Sequence, residues 1–262
     1  MAKQLEDAPT SVNWIRLFRP QHQPIARLML QSLKLVSSSE FETAIAKNIA
    51  TIHRSTGGPI AVFAVNKAFA LARRKEELGL KPDPSDKVII SSAGRTGSIL
   101  TGVKRHLGNR ILYNPTLDAM RKEKVKHVVL VDDLIGTGKS ICDFWNAWAW
   151  RSLKSWLSSQ HCKLWIAAYA GHQEGLGRIK KRVTYLDDDH IHLNIALLRQ
   201  DRLWRPLIKE LCVEYAPLTA KPGVALGFGD VMSPIVFQYG CPNNAPAILW
   251  ARGGRWQSAA QV

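Results

Sequence analysis

The chain has 262 residues, with 36 Lys and Arg against 21 Asp and Glu and a formal net charge of +15. With 46% apolar and 22% charged residues its composition is that of an ordinary globular protein and excludes a disordered or fibrous chain. Its length suits one large domain, or one domain with a small appendage.

No apolar run reaches the ~18 residues of a membrane span. The N-terminus, with Lys3, Glu6, Asp7 and Pro9, lacks the apolar core of a signal peptide, so a cytoplasmic protein without a membrane partner is expected. The four cysteines, Cys142, Cys162, Cys212 and Cys241, form no CxxC pair and are expected to be reduced, buried thiols. The basic excess predicts an anionic partner, nucleic acid among the candidates.

Residues 1–55 read as helical. From Glu40 the residues Phe41, Ala44, Ile45, Asn48, Ile49 and Ile52 fall on one helix face. Ser39 is placed to cap that helix and Gly57-Gly58-Pro59 to stop it. Ile60–Val65 (IAVFAV) is a short continuous apolar run, as expected of a strand buried on both faces. Lys67–Leu78 returns to helical spacing and ends at Gly79. Lys87–Ser91, His127–Val131, Lys163–Ala170 and Arg182–Leu186 are the further strands expected in the same region. Ile141, Phe144, Trp145, Trp148 and Ser152 share one helix face, which Trp156 continues, and core packing explains these tryptophans better than base stacking. Pro206–Tyr215 is helical, and Ile235–Tyr239 is a strand within a Gly/Pro-rich region. Trp204, Trp250 and Trp256 follow no such stripe and are candidates for a substrate platform or partner surface.

Strands alternating with helices indicate an α/β fold with a mainly parallel sheet. The expected division is a helical N-terminal segment over 1–55, an α/β core over 56–200 and a C-terminal lobe over 201–262 packed on the core.

The chemistry is concentrated in Val128–Ser140, VVLVDDLIGTGKS. An apolar strand delivers Asp132 and Asp133 at its carboxyl end, where ligands bind in α/β sheets. The loop Gly136-Thr137-Gly138-Lys139-Ser140 follows and opens a helix. Its glycines let backbone N–H groups approach a phosphate, and the helix start adds favourable partial charge. Two carboxylates repel a bare phosphate, so they must face vicinal sugar hydroxyls or Mg2+ held through water. A Walker A loop does not fit, because the position of its first glycine is Asp133.

All 13 positions of this stretch resemble the phosphoribosyl pyrophosphate (PRPP) signature of type I phosphoribosyltransferases. The resemblance implies that Asp132 and Asp133 bind the ribose 2- and 3-hydroxyls, directly or through Mg2+. It also implies that Gly136, Thr137, Gly138, Lys139 and Ser140 hold the 5-phosphate. The motif is most similar to that of the hypoxanthine-guanine enzymes, whose base-assisting Asp is replaced here by Gly136, so ordinary purine salvage is not expected. The family's pyrophosphate loop would fall at Asn66-Lys67, without its usual glycine pair. Ser91–Ser98 (SSAGRTGS) stands where the family's flexible loop closes over the reaction, so Arg95 is either a pyrophosphate or transition-state contact or a plain loop arginine.

The whole chain also resembles the phosphoribosyltransferase-like proteins of bacterial anti-phage loci, some of them retrons. That likeness rests on Trp14–Phe18 (WIRLF), the pattern over Leu28–Phe41, Gly227–Asp230 (GFGD) and Pro242–Trp250 (PNNAPAILW). It implies a toxin or effector but no substrate; the signature over Val128–Ser140 is what implies a pentosyl-transferring enzyme that uses PRPP or a related ribose phosphate with Mg2+. The alternative is a binding module, a nucleotide sensor or a regulator that holds nucleic acid or a partner protein.

Two further segments stand out. Asp187-Asp188-Asp189-His190 follows the fifth expected strand, and is either a second Mg2+ or base site at the same sheet edge or a solvated turn. Asn243-Asn244 lies between two prolines and is either a base or pyrophosphate contact or a capping turn. The histidines show no i, i+4 pair with a carboxylate partner, so their spacing gives no zinc site.

Overall fold

The computed structural model describes residues 8–65, 100, 111–148, 151–197, 205–253 and 256–259. The chain divides into a terminal unit, Met1–Glu40 with Leu198–Val262, and a central unit, Phe41–Leu197. In chain order the principal elements are α1 (Pro9–Ile15), α2 (Gln23–Gln31), β1 (Lys34–Val36), α3 (Ser38–Thr56), β2 (Ile60–Ala64) and β3 (Ile111–Tyr113). There follow α4 (Leu117–Lys122), β4 (His127–Ile135), α5 (Lys139–Trp148), α6 (Arg151–Ser158), β5 (Lys163–His172) and α7 (Gln173–Arg182). Then come β6 (Ile191–Leu197), α8 (Arg205–Tyr215), β7 (Ile235–Phe237) and α9 (Ala247–Trp250).

The central unit is an α/β fold on a five-stranded sheet in the order β3-β2-β4-β5-β6. Every pairing is parallel, from Ile60↔Ile111 through Ile60↔His127 and His127↔Lys163 to Ile166↔Ile191. Both faces are covered, which is why β2, β4 and β5 are continuous apolar runs without alternation. On one face Ala61, Phe63, Val128, Leu130, Leu164 and Ile166 pack with Ile141, Phe144 and Trp145 of α5. On the other, Phe41 of α3 meets Tyr169 of β5 with ring centroids 6.1 Å apart, and the Asn48 amide donates to the Ala168 carbonyl at 3.2 Å. Ile45, Ile49 and Ile52 complete that buried helix face.

The α3 helix starts two residues earlier than Ser39 suggests. Ser37 Oγ accepts the Glu40 N–H at 3.0 Å and is the cap. Gly57 at φ +69° ends the helix. Residues 1–55 are not wholly helical, because Lys34–Val36 forms the short strand β1.

The fifth expected strand, Arg182–Leu186, is absent. Helix α7 runs through Arg182, and Tyr185 takes a left-handed φ of +68° that breaks any extended run. The edge strand is β6, whose sequence IHLNIAL alternates Ile191, Leu193, Ile195 and Leu197 with His192, Asn194 and Ala196 instead of forming the continuous apolar run of the buried strands. At the other edge, the three-residue β3 was too short to register. The helix Lys67–Leu78 and the strand Lys87–Ser91 lie outside the described residues.

In the terminal unit β1 pairs in parallel with β7, Lys34 opposite Ile235, and Tyr239 stands beyond the strand end in a turn. Trp14, Phe18, Met29, Ile208, Leu211, Tyr215, Ile248 and Trp256 belong to one core. Trp14 and Trp256 both donate their indole N–H to the Ile248 carbonyl, at 2.9 and 3.0 Å. Trp256 is therefore a core residue and not a substrate platform. Trp250 is half-buried and donates to the Ala245 carbonyl, while Trp204 is outside the described residues. The expected three-part division gives way to one in which the first 40 residues and the last 65 share a unit.

Candidate functional site

The site is built at the carboxyl edge of the sheet, on its central strand. Pairing of β2 with β4 ends at Ala64↔Val131, and the Val65 N–H donates to the Val131 carbonyl at 2.8 Å. From Asp132 onward β4 continues along β5, through Asp132↔Ala168 to Ile135↔Gly171. The acid pair therefore lies within the strand rather than in the loop after it, which fixes both backbones.

Asp132 Oδ1 accepts the Asp133 N–H at 3.0 Å, and Asp133 Oδ1 accepts the Leu134 N–H at 2.7 Å. The Asp132 carboxyl is held well above the usual carboxylate range by burial and then by the charge of Asp133 beside it. A site that keeps such a repulsive pair of oxygen donors is suited to a hard divalent cation, so the residues fit Mg2+. The same pair fits the hydroxyls of a sugar.

The loop after β4 is tight. The Gly136 N–H turns back to the Leu134 carbonyl at 3.1 Å, and Thr137 Oγ1 accepts the Lys139 N–H at 3.3 Å. Gly138 takes φ +71°, and its carbonyl accepts the Cys142 N–H in the first turn of α5. Lys139 and Ser140 are exposed, and the Lys139 ammonium is paired with Asp143 one turn on.

This loop rests on the first turn of α7 at a place where no side chain fits. A Cβ on Gly175 would lie 2.2 Å from the Gly136 carbonyl oxygen and 2.9 Å from the Gly138 nitrogen. A Cβ on Gly138 would lie 2.4 Å from the Gly175 carbonyl oxygen. Gly138 of the loop and Gly175 of the helix thus let the backbones touch, and α7 acts as the seat of the glycine loop. Sequence reasoning passed over Gly175, since it pairs with a loop nearly forty residues earlier.

Burial pushes the Cys142 thiol up, while the charges of Arg178 and Arg182 are the strongest influences pulling the other way, with Lys139 adding to them. The positive charge of α7 is therefore felt at Cys142, in the first turn of α5. The other thiols, Cys162, Cys212 and Cys241, are pushed by burial to about 11, 12 and 12, and all four cysteines are free.

Asp132, Asp133, Gly136, Thr137, Gly138, Lys139 and Ser140 are thus brought together. Asn66, Lys67 and Arg95 lie outside the described residues. Asn243 and Asn244 are in the terminal unit, where they bind backbone. The Phe228 N–H donates to the Asn243 carbonyl at 2.7 Å, and the Asn244 amide donates to the Phe228 carbonyl at 2.9 Å.

Asp187–His190 does not share the edge of Asp132. It precedes β6 in an all-parallel sheet, and so stands at the amino edge. The expectation failed because the strand it was thought to follow does not exist.

Among the described residues, no helix is long and apolar enough to cross a membrane. No curated protein matches the chain. Among solved structures, the Helicobacter pylori xanthine-guanine-hypoxanthine phosphoribosyltransferase is similar with a TM-score of 0.30 and 12% identity, over 68% of this chain and 95% of that one. The family model PRTase-CE matches residues 12–261, nearly the full length, and the chain belongs to this phosphoribosyltransferase-like family.

Proposed function

We propose that the protein is an enzyme of pentosyl transfer that binds PRPP, or a related ribose phosphate, at the carboxyl edge of β4. The observation that carries this reading is the continuity of one strand, one acid pair and one glycine loop over Asp132–Ser140, with the loop seated on Gly175. Asp132 and Asp133 take the ribose hydroxyls. The backbone N–H groups of Gly136–Ser140, with the Thr137 and Ser140 hydroxyls, take the 5-phosphate, and the positive field of Arg178 and Arg182 favours its charge. Mg2+ held by the two carboxylates would neutralise the diphosphate that leaves.

Displacement at the ribose C1 carbon then passes through an oxocarbenium-like state. Holding the ribose at both its hydroxyls and its phosphate fixes C1 against the acceptor, and such positioning supplies much of the rate. Arg95, with Asn66 and Lys67, is assigned to the leaving pyrophosphate. The Asn243–Asn244 turn is assigned to the fold of the terminal unit. Gly136 offers no side chain to a purine, which directs the reaction toward another acceptor: water, a different base, or a group on a nucleotide or nucleic acid. We read the enzyme as a defence effector, a reading supported by the resemblance of Trp14–Phe18, Gly227–Asp230 and Pro242–Trp250 to the anti-phage proteins.

A second reading is favoured by that same Gly136, together with the net charge of +15. In it the fold is a nucleotide sensor or a regulator that holds nucleic acid or a partner protein. Pyrophosphate release from PRPP separates the two. The enzyme reading expects Mg2+-dependent release, with water, nucleobases or nucleic acid as acceptor, that disappears in Asp132→Asn/Asp133→Asn. Binding of PRPP without release under all these conditions would favour the sensor.

A further inference from the structure

We propose that Asp187, Asp189 and His190 form a binding site for a divalent transition-metal ion of the zinc class, at the amino edge of the sheet and separate from the Asp132 site. The three residues sit in and just before one turn of 3-10 helix, Asp188–His190, that leads into β6. One ligand atom from each lies within 4.8 Å of the other two.

The imidazole is the anchoring observation. His190 is only 4% exposed, yet its Nδ1 has no hydrogen-bond partner. An unsatisfied buried nitrogen is costly, and folded chains rarely retain one without use. Its ring is fixed in place by Trp165, whose centroid is 3.8 Å away.

The carboxylates stand on either side of that ring. Asp187 Oδ2 is 3.5 Å from Nδ1 and Asp189 Oδ1 is 3.9 Å from Nε2. Their side chains are 70% and 85% exposed, so they can turn without disturbing the core. Zinc–ligand bonds of about 2.0–2.2 Å in tetrahedral array put ligand atoms about 3.4 Å apart, so closing on an ion requires shifts of roughly 1 Å. Asp188 does not take part, because Lys180 Nζ holds its carboxylate at 2.8 Å. Among the described residues, no Lys or Arg lies within ion-pair distance of Asp187 or Asp189, and within that distance each carboxylate faces only the His190 ring.

One imidazole with two carboxylates suits Zn2+, Co2+, Ni2+ or Cu2+ better than Mg2+ or Ca2+. Two negative charges balance the ion, and water completes the coordination. His spacing could not reveal the site, since the ligands are nearly contiguous and the imidazole is selected by burial.

The test uses the full chain, stripped with chelator, titrated with Zn2+ by calorimetry and with Co2+ by visible absorption. The proposal expects one equivalent of Zn2+ and a Co2+ band in the wild type. Asp187→Asn/Asp189→Asn, at exposed positions that leave folding intact, is expected to weaken Zn2+ binding about tenfold or more and to remove the band. Asp132→Asn/Asp133→Asn is expected to retain both signals. Absence of saturable binding of both Zn2+ and Co2+ would overturn the proposal, as would Zn2+ binding unchanged in Asp187→Asn/Asp189→Asn.

Discussion

Replacing Gly175 by Ala isolates the contact between the phosphate loop and its seat. The new Cβ would stand 2.2 Å from the Gly136 oxygen and 2.9 Å from the Gly138 nitrogen. Ordinary carbon–oxygen approach stops at about 3.3 Å, so loop and helix must part by about 1 Å. Both atoms met are backbone, and no rotamer change relieves the clash. Overpacking of this kind costs about 1–3 kcal/mol, and a rigid backbone contact belongs at the upper end of that range. The gain from Ala over Gly inside a helix is only about 1 kcal/mol. Net destabilisation of about 2 kcal/mol lowers Tm by about 4–8 °C in a chain of this size.

Gly177 in the same helix is the control, because a Cβ there meets nothing within 4 Å. Gly177→Ala is expected to raise Tm by about 2–4 °C and to leave ligand affinity unchanged. For Gly175→Ala, a loop displaced by about 1 Å weakens PRPP binding by a factor on the order of 100. Thermal unfolding and calorimetry with PRPP and Mg2+ read both quantities. If Gly175→Ala behaves like Gly177→Ala in both assays, α7 does not seat the loop and the reasoning fails.

Three other outcomes follow from the same physics. The raised pKa of Asp132, from burial and then Asp133, means that its contribution to stability is full below the ordinary carboxylate value and lost as pH rises through the raised one. Asp132→Asn therefore raises Tm at neutral pH while abolishing ribose-phosphate binding, and a lower Tm in the variant would contradict the assignment. His127 is pushed down to about 4 by burial and by the charges of Lys163, His190 and Lys126, and its Nδ1 accepts the Trp165 indole N–H at 3.0 Å. Its contribution is present above about 6.5 and lost as pH falls toward about 4, with His192 shifted the same way. In chelator-treated buffer Tm thus declines across that interval and His127→Gln flattens the decline, whereas a level wild-type profile would refute it. Finally, Ser37→Ala removes the α3 cap and costs about 1 kcal/mol, while Ser39→Ala is close to neutral; the reverse order in denaturant titrations would restore the expected cap.

The centre of the fold was legible in the sequence because burial on both faces leaves no other pattern. His127–Val131 and Lys163–Ala170 are continuous apolar runs for that reason, and Phe41, Ile45, Ile49 and Ile52 mark the helix that covers one side. The sheet edges were not legible. β3 has only three residues, and β6 alternates Ile191, Leu193, Ile195 and Leu197 with His192 and Asn194, so neither shows the continuous apolar run that marks the buried strands. Arg182–Leu186 attracted the assignment instead because Val183, Thr184 and Tyr185 favour strands, although Tyr185 sits at positive φ. That single displacement moved Asp187–His190 to the wrong edge of the sheet.

The candidate site divides the same way. Asp132 to Ser140 are consecutive, and the chemistry of two acids before a glycine loop is readable without coordinates. Gly175 and the cations of α7 depend on packing between elements distant in sequence. Gly175 looks like any helical glycine until the Gly136 oxygen is found beside it. Trp256 carried the opposite risk, since an aromatic residue outside any stripe suggested a binding surface, while its indole is tied to Ile248 in a core assembled from both ends of the chain.

The central claim is that the strand end from Asp132 to Ser140 binds a ribose phosphate. Calorimetric titration of PRPP with Mg2+ into the purified, nucleic-acid-free protein tests it most directly, with Asp132→Asn/Asp133→Asn alongside. The account predicts saturable heat in the wild type, dependent on Mg2+, and none in the folded variant. No heat in a folded wild-type protein, or equal heat in both, would contradict it.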